Sequence, residues 1–256
     1  MEMTDREQHR YFIYFSYDGT EYHGWQAQPN AITVQQRMQE ALSLLLQHPV
    51  GIVGAGRTDT GVHARMMVAH FDSETTLDVR HLVFKMNCLL PNDIAVSRIR
   101  PVQPTAHARF SPLSRMYRYY LALQKDAFLP RFACRFFIPL DFDHMNEAAG
   151  ILLRHTEYGS FCKAHSDNKT NICHITQAQW RQASEGMWYF EIRADRFLRS
   201  MVRSIVGTLL QVGKGDITPQ DFERIILQNT RTAAGDSVPA HGLFLEDIVY
   251  PDSIFL

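Results

Sequence analysis

The chain has 256 residues, with 26 Lys and Arg against 27 Asp and Glu, a formal charge of −1. Hydrophobic residues make up 45% and aromatic residues 11%, which excludes a disordered tail, a coiled coil and a histone-like polycation. A chain of this length forms one large domain or two small ones and buries a core without needing disulfides or metal.

Residues 11–15, Tyr-Phe-Ile-Tyr-Phe, read as a buried strand ending at Asp18-Gly19. Thr33 opens a helix, with Gln36 completing a capping box and Val34, Met38, Ala41, Leu42, Leu45 and Leu46 at helical spacing. Pro49 marks its end. Residues 50–53 are strand-like, a Gly-rich loop covers 54–61, and residues 67–71 return as a strand. Val79, Leu82, Val83, Met86, Leu89 and Leu90 predict a second amphipathic helix stopped by Pro91, followed by a strand over 94–99. The first half therefore reads β-α-β-loop-β-α-β.

The second half repeats this style with other lengths. Strands are predicted over 117–123 and 243–250, and helices over 145–153 and 198–212. Residues 178–181 and 188–192 form a hairpin around Glu185-Gly186. Thr218-Pro219 starts a further helix, with Thr at the N-cap and Pro at the first helical position. Alternation without a strict βαβ rhythm predicts an α+β fold with largely antiparallel sheet. The domain boundary is expected near residues 101–104, giving an N-terminal half over 1–104 and a C-terminal half over 105–256.

Cys88, Cys134, Cys162 and Cys173 stand alone, with no Cys-x-x-Cys pair. Cys162, His165, Cys173 and His174 do not match a zinc spacing, so no metal is expected. Residues 1–10 lack an apolar signal core, and no run is long enough to span a bilayer. A reduced cytoplasmic enzyme is the expected class.

The sharpest local feature is Gly54-Ala55-Gly56-Arg57-Thr58-Asp59-Thr60-Gly61-Val62-His63-Ala64. Glycines permit close approach and unusual backbone angles. An Asp held by such a loop suits a positioned nucleophile or general base. A tight turn with an Asx-type cap fits the same residues. The loop is not a P-loop, because Gly-Lys-Ser/Thr is missing, and Asp59 stands where a Gly-x-Gly-x-x-Gly motif needs Gly. The basic residues are 21 Arg and 5 Lys. Such an excess fits phosphate recognition, and it equally fits a GC-rich genome.

Read as one string, residues 56–64 closely resemble the signature of the tRNA pseudouridine synthase A family. Four further blocks agree, in order along nearly the whole chain. These are Tyr17-Asp18-Gly19-Thr20 with Gly24-Trp25-Gln26; His107-Ala108-Arg109-Phe110-Ser111 with Tyr117-Arg118-Tyr119; Phe197 with Met201-Val202-Arg203 and Ile205-Val206-Gly207; and Gly242 to Leu245. The departures, Thr60 for Ala and Gly54 for Cys, replace no catalytic group.

The resemblance implies a pseudouridine synthase fold, with two similar α/β halves joined into one extended central sheet. It implies an isomerase that converts uridine to pseudouridine at positions 38–40 of the tRNA anticodon stem-loop. No redox cofactor, ATP or metal is implied. Asp59 occupies the nucleophile's position, with attack at C6, attack at C1′ and a glycal route all open. A nucleophilic carboxylate must be ionised, and burial favours the neutral form, so a cation is expected opposite it. Arg203 matches that partner, although a solvated helix flank is its plain alternative. Tyr117 matches the active-site Tyr that stacks on the base, or is simply a strand aromatic. Leu245 matches a pocket-lining residue and Arg57 a residue that helps flip the base. His63 reads as loop packing.

Arg109, Arg115, Arg118, Arg193, Arg196, Arg199 and Arg203 are expected to bind phosphates, with Arg199 and Arg203 on one helix face. The acidic residues 141–143 are expected to lie away from RNA. The resemblance also implies a homodimer in which one tRNA touches both subunits. Two competing readings remain: a non-catalytic tRNA-binding or folding module of the same fold, and an Asp-based hydrolase using Asp59 and His63, which would need a metal. Residues 164–171 carry no family string.

Overall fold

The computed structural model describes residues 8–163 and 169–256. Part of the 164–171 segment, residues 164–168, thus lies outside the described residues, as does most of the polar N-terminus. By internal packing the chain forms two compact units: Met1–Leu113 with Leu245–Leu256, and Ser114–Phe244.

The first unit contains strand β1 (His9–Tyr17), helix α1 (Val34–Leu46), β2 (Val53–Gly54), β3 (His63–Ser73), α2 (Val79–Leu89) and β4 (Ile94–Val102). This is the predicted order. β1 is flanked by β4 and β3, both antiparallel, and β2 also pairs with β3. Phe12 and Ile13 are adjacent in β1 and both fully buried, so both faces of that strand are covered. This explains its unbroken apolar sequence.

The Thr33 hydroxyl accepts from the Gln36 amide and caps α1, but the Gln36 side chain donates to Glu40, so only the Thr33 half of the predicted capping box forms. The helix ends at Leu46 because Gln47 turns left-handed at φ 60°, two residues before Pro49. At β4, the guanidinium of Arg98 lies 4.1 Å from the Tyr14 ring and that of Arg100 3.8 Å from the Phe255 ring. Such charged side chains discourage strand addition at a sheet edge.

The second unit contains β5 (Ser114–Ala122), β6 (Cys134–Arg135), α3 (Phe142–Ile151), β7 (Ile175–Ser184), β8 (Met187–Ala194), α4 (Met201–Gly213) and α5 (Pro219–Gln228). β8 lies between β5 and β7, antiparallel to both, and β6 runs parallel to β5. The β7–β8 turn is Glu185-Gly186, with Gly186 at φ +69°. Tyr119, Leu121, Phe190 and Ile192 are buried on one face of these strands. α3 packs against β7, α4 and α5, and the Phe142 ring stacks on Trp188 at 3.7 Å. α5 begins with a complete capping box between Thr218 and Asp221.

The last strand, β9 (Leu243–Val249), begins in the second unit and enters the first at Leu245, where it lies beside β3. Among the described residues, no helix is long and apolar enough to cross a membrane.

Three sequence expectations need correction. The strand over 50–53 shrinks to Val53–Gly54, because pairing with β3 involves only those two residues. β3 is longer than 67–71, because its polar residues His63, His70 and Ser73 are buried and paired. The helix predicted over 198–212 starts at Met201, because Ser200 is left-handed at φ 59°. Arg199 therefore precedes the helix and does not share a helix face with Arg203.

Candidate active site

The loop after β2 is fixed from both ends. The Ala55 amide donates to the Val68 carbonyl (2.8 Å), and the Val62 amide donates to the Asp59 carbonyl (3.2 Å). Between them, backbone and side chains from the segment after β1 clamp the residues around Asp59. The Tyr17 hydroxyl meets the Thr58 hydroxyl at 2.9 Å. The Trp25 amide donates to the Thr58 carbonyl (3.4 Å), and the Gly61 amide to the Tyr22 carbonyl (3.3 Å).

Three glycines make this clamp sterically possible. A β-carbon on Gly19 would lie 2.0 Å from the Val62 carbonyl oxygen, and one on Gly54 would lie 2.5 Å from the Trp25 indole. Gly24, at φ +84°, faces the Thr58 carbonyl. The Tyr17–Thr20 and Gly24-Trp25 blocks are thus the seat of the Asp59 loop. The sequence displayed these residues but not their role.

His63 is fully buried. Its Nδ1 lies 3.0 Å from both the Gly19 amide nitrogen and Asp18 Oδ1. One nitrogen cannot accept from the amide and donate to the carboxylate at once, so the tautomer selects one of them. Either way, the ring anchors the loop, as its sequence reading as packing expected. Asp59 is half-buried and Arg57 exposed.

In the second unit Tyr117 is half-buried in β5, opposite Ile192, and its ring meets Phe197 edge-on at 5.1 Å. Arg203 lies in the first turn of α4, also half-buried. Its Nε donates to the Val238 carbonyl (2.7 Å), and the Val238 amide donates back to the Arg203 carbonyl (3.2 Å). Val238 belongs to a strap, residues 235–238, that touches α4 twice more. The Gly235 amide donates to the Thr208 hydroxyl (3.0 Å). A β-carbon on Gly207 would lie 1.8 Å from the Asp236 carbonyl oxygen. The strap therefore fixes the direction of the Arg203 guanidinium. Sequence reasoning named Arg203 and Gly207 but not Val238, which carries no local signal.

Below Tyr117, the Tyr119 hydroxyl donates to the Pro239 carbonyl (3.0 Å), and burial raises its phenol pKa well above normal. Its ring lies 2.8 Å from where a Gly242 β-carbon would sit, which accounts for glycine just before β9. Leu245 is 1% exposed on that strand, in the first unit.

The arginines divide into two groups. Arg118 lies opposite Glu191 in the β5–β8 register, and its Nε and Nη2 both reach Glu191 Oε2 at 2.6 Å. Gln177 donates to the other oxygen of that buried carboxylate. Arg115 donates to the Asp195 carbonyl (2.8 Å), and Arg193 to the Ser114 hydroxyl (3.1 Å). These three support the β5–β8 pairing, which corrects their reading as phosphate binders. Arg57, Arg109 and Arg199 are exposed. Among the described residues, no group of three or more His, Cys, Asp or Glu is placed to hold a metal ion.

The first unit thus holds a clamped Asp loop, and the second, taken by itself, holds a Tyr and an Arg fixed by their neighbours. A family model described as tRNA pseudouridine synthase matches residues 13–111 and 152–251. The chain belongs to that family and is an isomerase. It is 52% identical over 250 residues to tRNA pseudouridine synthase A of Porphyromonas gingivalis, covering 96% of this chain and 99% of that protein. The namesake protein of Bacteroides thetaiotaomicron is 51% identical over 248 residues, covering 96% and 92% of the two chains. That of Bacillus pumilus is 39% identical over 239 residues, covering 92% and 96%.

Proposed function

We propose that this chain isomerises uridine to pseudouridine at positions 38–40 of the tRNA anticodon stem-loop, with Asp59 as nucleophile. The N1–C1′ bond breaks, the uracil turns, and a C5–C1′ bond forms. The C5 hydrogen leaves as a proton and N1 gains one, so atoms and electrons balance without an oxidant or reductant. Tyr117 stacks on the target base, and Arg203 fills the position of the arginine that partners the nucleophile in the family. Leu245 lines the base pocket. Arg57 helps flip the base out of its stack, a step costing a few kcal/mol. Arg109 and Arg199 bind phosphates, which position RNA without reading its sequence. The protein works in the cytoplasm as a homodimer, each tRNA touching both subunits.

The observation that carries this reading is the clamp on Thr58 from Tyr17, Gly24 and Trp25. Nucleophilic attack needs a carboxylate pre-positioned to a fraction of an ångström, and misplacement by about 1 Å costs about 10²-fold in rate. A loop serving only as a turn has no need of such support.

The test is tritium release from tRNA labelled at uridine C5. Wild type should release label, and Asp59→Asn should release none while still binding tRNA. Equal release by both proteins would remove Asp59 as nucleophile. Binding by wild type with no release would favour a tRNA-binding module.

A further inference from the structure

Beside Arg109, the first unit carries an exposed aromatic ring with no role in the isomerisation itself. Residues 106–111 form a tight turn that holds an exposed aromatic ring and an exposed cation outward. Phe110 is 75% exposed. Its ring lies 4.4 Å from the His107 imidazole, and the Arg109 guanidinium is 5.5 Å from its centroid.

The turn is heavily braced. The Phe110 and Ser111 amides both donate to the His107 carbonyl, and the His107 amide donates to the Ser111 hydroxyl. The Arg109 amide donates to His107 Nδ1 (3.1 Å), and the Ala108 amide to His70 Nδ1 (3.1 Å). Tyr250 donates to the Ala108 carbonyl (2.7 Å) and Arg10 to the Ala106 carbonyl (3.0 Å). Exposing a phenylalanine gains nothing for the fold. Holding one rigidly beside a cation gives a partner a ready stacking surface.

Two observations select that partner. Residues 106–111 contain no carboxylate. Asp72, near the base of the turn, is neutralised by Arg10 at 2.7 and 2.8 Å. The exposed side chains that the turn presents are thus a cation and an aromatic ring, which suits an anionic polymer with flat faces. Successive bases stack on such aromatic rings while the cation follows the backbone. The turn also shares its foundation with the Asp59 loop. His70, which braces Ala108, lies opposite Val53, the residue before Gly54.

We propose that His107, Arg109 and Phe110 form a second RNA subsite, which stacks an unpaired base of the substrate outside the catalytic pocket. This rests on the reading of the chain as an enzyme acting on tRNA. Phe110 supplies the face, His107 supports it from below, and Arg109 contacts the adjoining phosphate.

The experiment compares wild type, Phe110→Ala and Phe110→Trp for binding of a tRNA transcript and of a blunt, fully paired RNA duplex. Phe110→Ala should weaken tRNA binding about tenfold or more, in keeping with the strength of base–aromatic stacking. Phe110→Trp should bind tRNA at least as well as wild type. All three should bind the duplex equally, because it offers no unpaired base. Phe110 is exposed, so truncating it does not threaten folding. tRNA binding by Phe110→Ala within twofold of wild type would overturn the proposal, as would a parallel loss on the duplex. A change in the sedimentation of the RNA-free variant would also overturn it, assigning the ring to a protein contact. Tritium release by wild type reads the parent proposal separately. Its absence would sink the enzyme reading, whereas an unaltered tRNA affinity sinks only the subsite.

Discussion

The carbonyl oxygen of Thr58 lies 2.3 Å from the position that a β-carbon on Gly24 would occupy. Gly24 also has φ +84°, a conformation that L side chains rarely adopt. Gly24→Ala is thus penalised twice, and relief requires Thr58 and its neighbour Asp59 to move. The expected result is a fall in kcat for tritium release of about 10²-fold, with tRNA affinity little changed. Gly51→Ala, which meets no atom within 4 Å, is the matched control and should keep wild-type turnover. Wild-type turnover by Gly24→Ala would show that Asp59 does not depend on this seat.

His63 makes a different prediction. Removing the ring in His63→Ala leaves a cavity and takes a partner from the Gly19 amide or the Asp18 carboxylate. Together these cost about 2–4 kcal/mol. In a protein of this size the melting temperature should fall by about 5 °C or more. A scanning calorimetry trace matching wild type would exclude the anchoring role.

The pair His70 and His107 should make stability pH-dependent. Burial, then the charges of Arg10 and His107, lowers the His70 pKa from 6.5 to about 4. His107 is lowered as well, by burial and the charges of Arg10 and Arg109. In both rings Nδ1 accepts an amide, so protonation breaks a native hydrogen bond. The unfolded chain binds more protons between pH 6.5 and 4, so stability falls as pH falls through that window. For His70 alone the loss from pH 7 to pH 5 is about 2 kcal/mol. Urea unfolding at pH 7, 6 and 5 measures it, and His70→Gln should flatten the slope. An identical slope in that variant would assign the dependence elsewhere.

The two classes of arginine should separate in salt titrations. Arg57→Gln and Arg199→Gln should each reduce the slope of log affinity for tRNA against log salt by about one. Arg118→Gln should leave the slope unchanged and destabilise the protein by about 3 kcal/mol, because it leaves the buried Glu191 carboxylate without its cation. A reduced slope for Arg118→Gln would return it to the phosphate contacts.

Much of the fold was legible because its signals are local. Thr33, Thr218-Pro219 and Glu185-Gly186 announce two caps and a turn within a few residues. The ends of β3 were not, because His63, His70 and Ser73 look like loop residues until their distant partners bury them. Ser200 gives no sign of its left-handed backbone, and that single residue separates Arg199 from the helix of Arg203.

The Asp59 loop was visible as a string, but its support was not. Gly24 meets Thr58 across a sequence gap that periodicity cannot bridge. The arginine excess was likewise ambiguous from composition. Only the register that sets Arg118 against Glu191 distinguishes a cation that braces a sheet from one left facing solvent.

β9 passes from one unit to the other between Phe244 and Leu245. During synthesis, the unit begun first is therefore finished last. Residues up to Leu113 emerge early, yet β3 waits for its neighbour until Leu245–Leu256 leave the ribosome. A nascent chain halted anywhere before that point carries an unpaired strand edge, a surface that invites aggregation. The loop that holds Asp59 leads directly into that waiting strand.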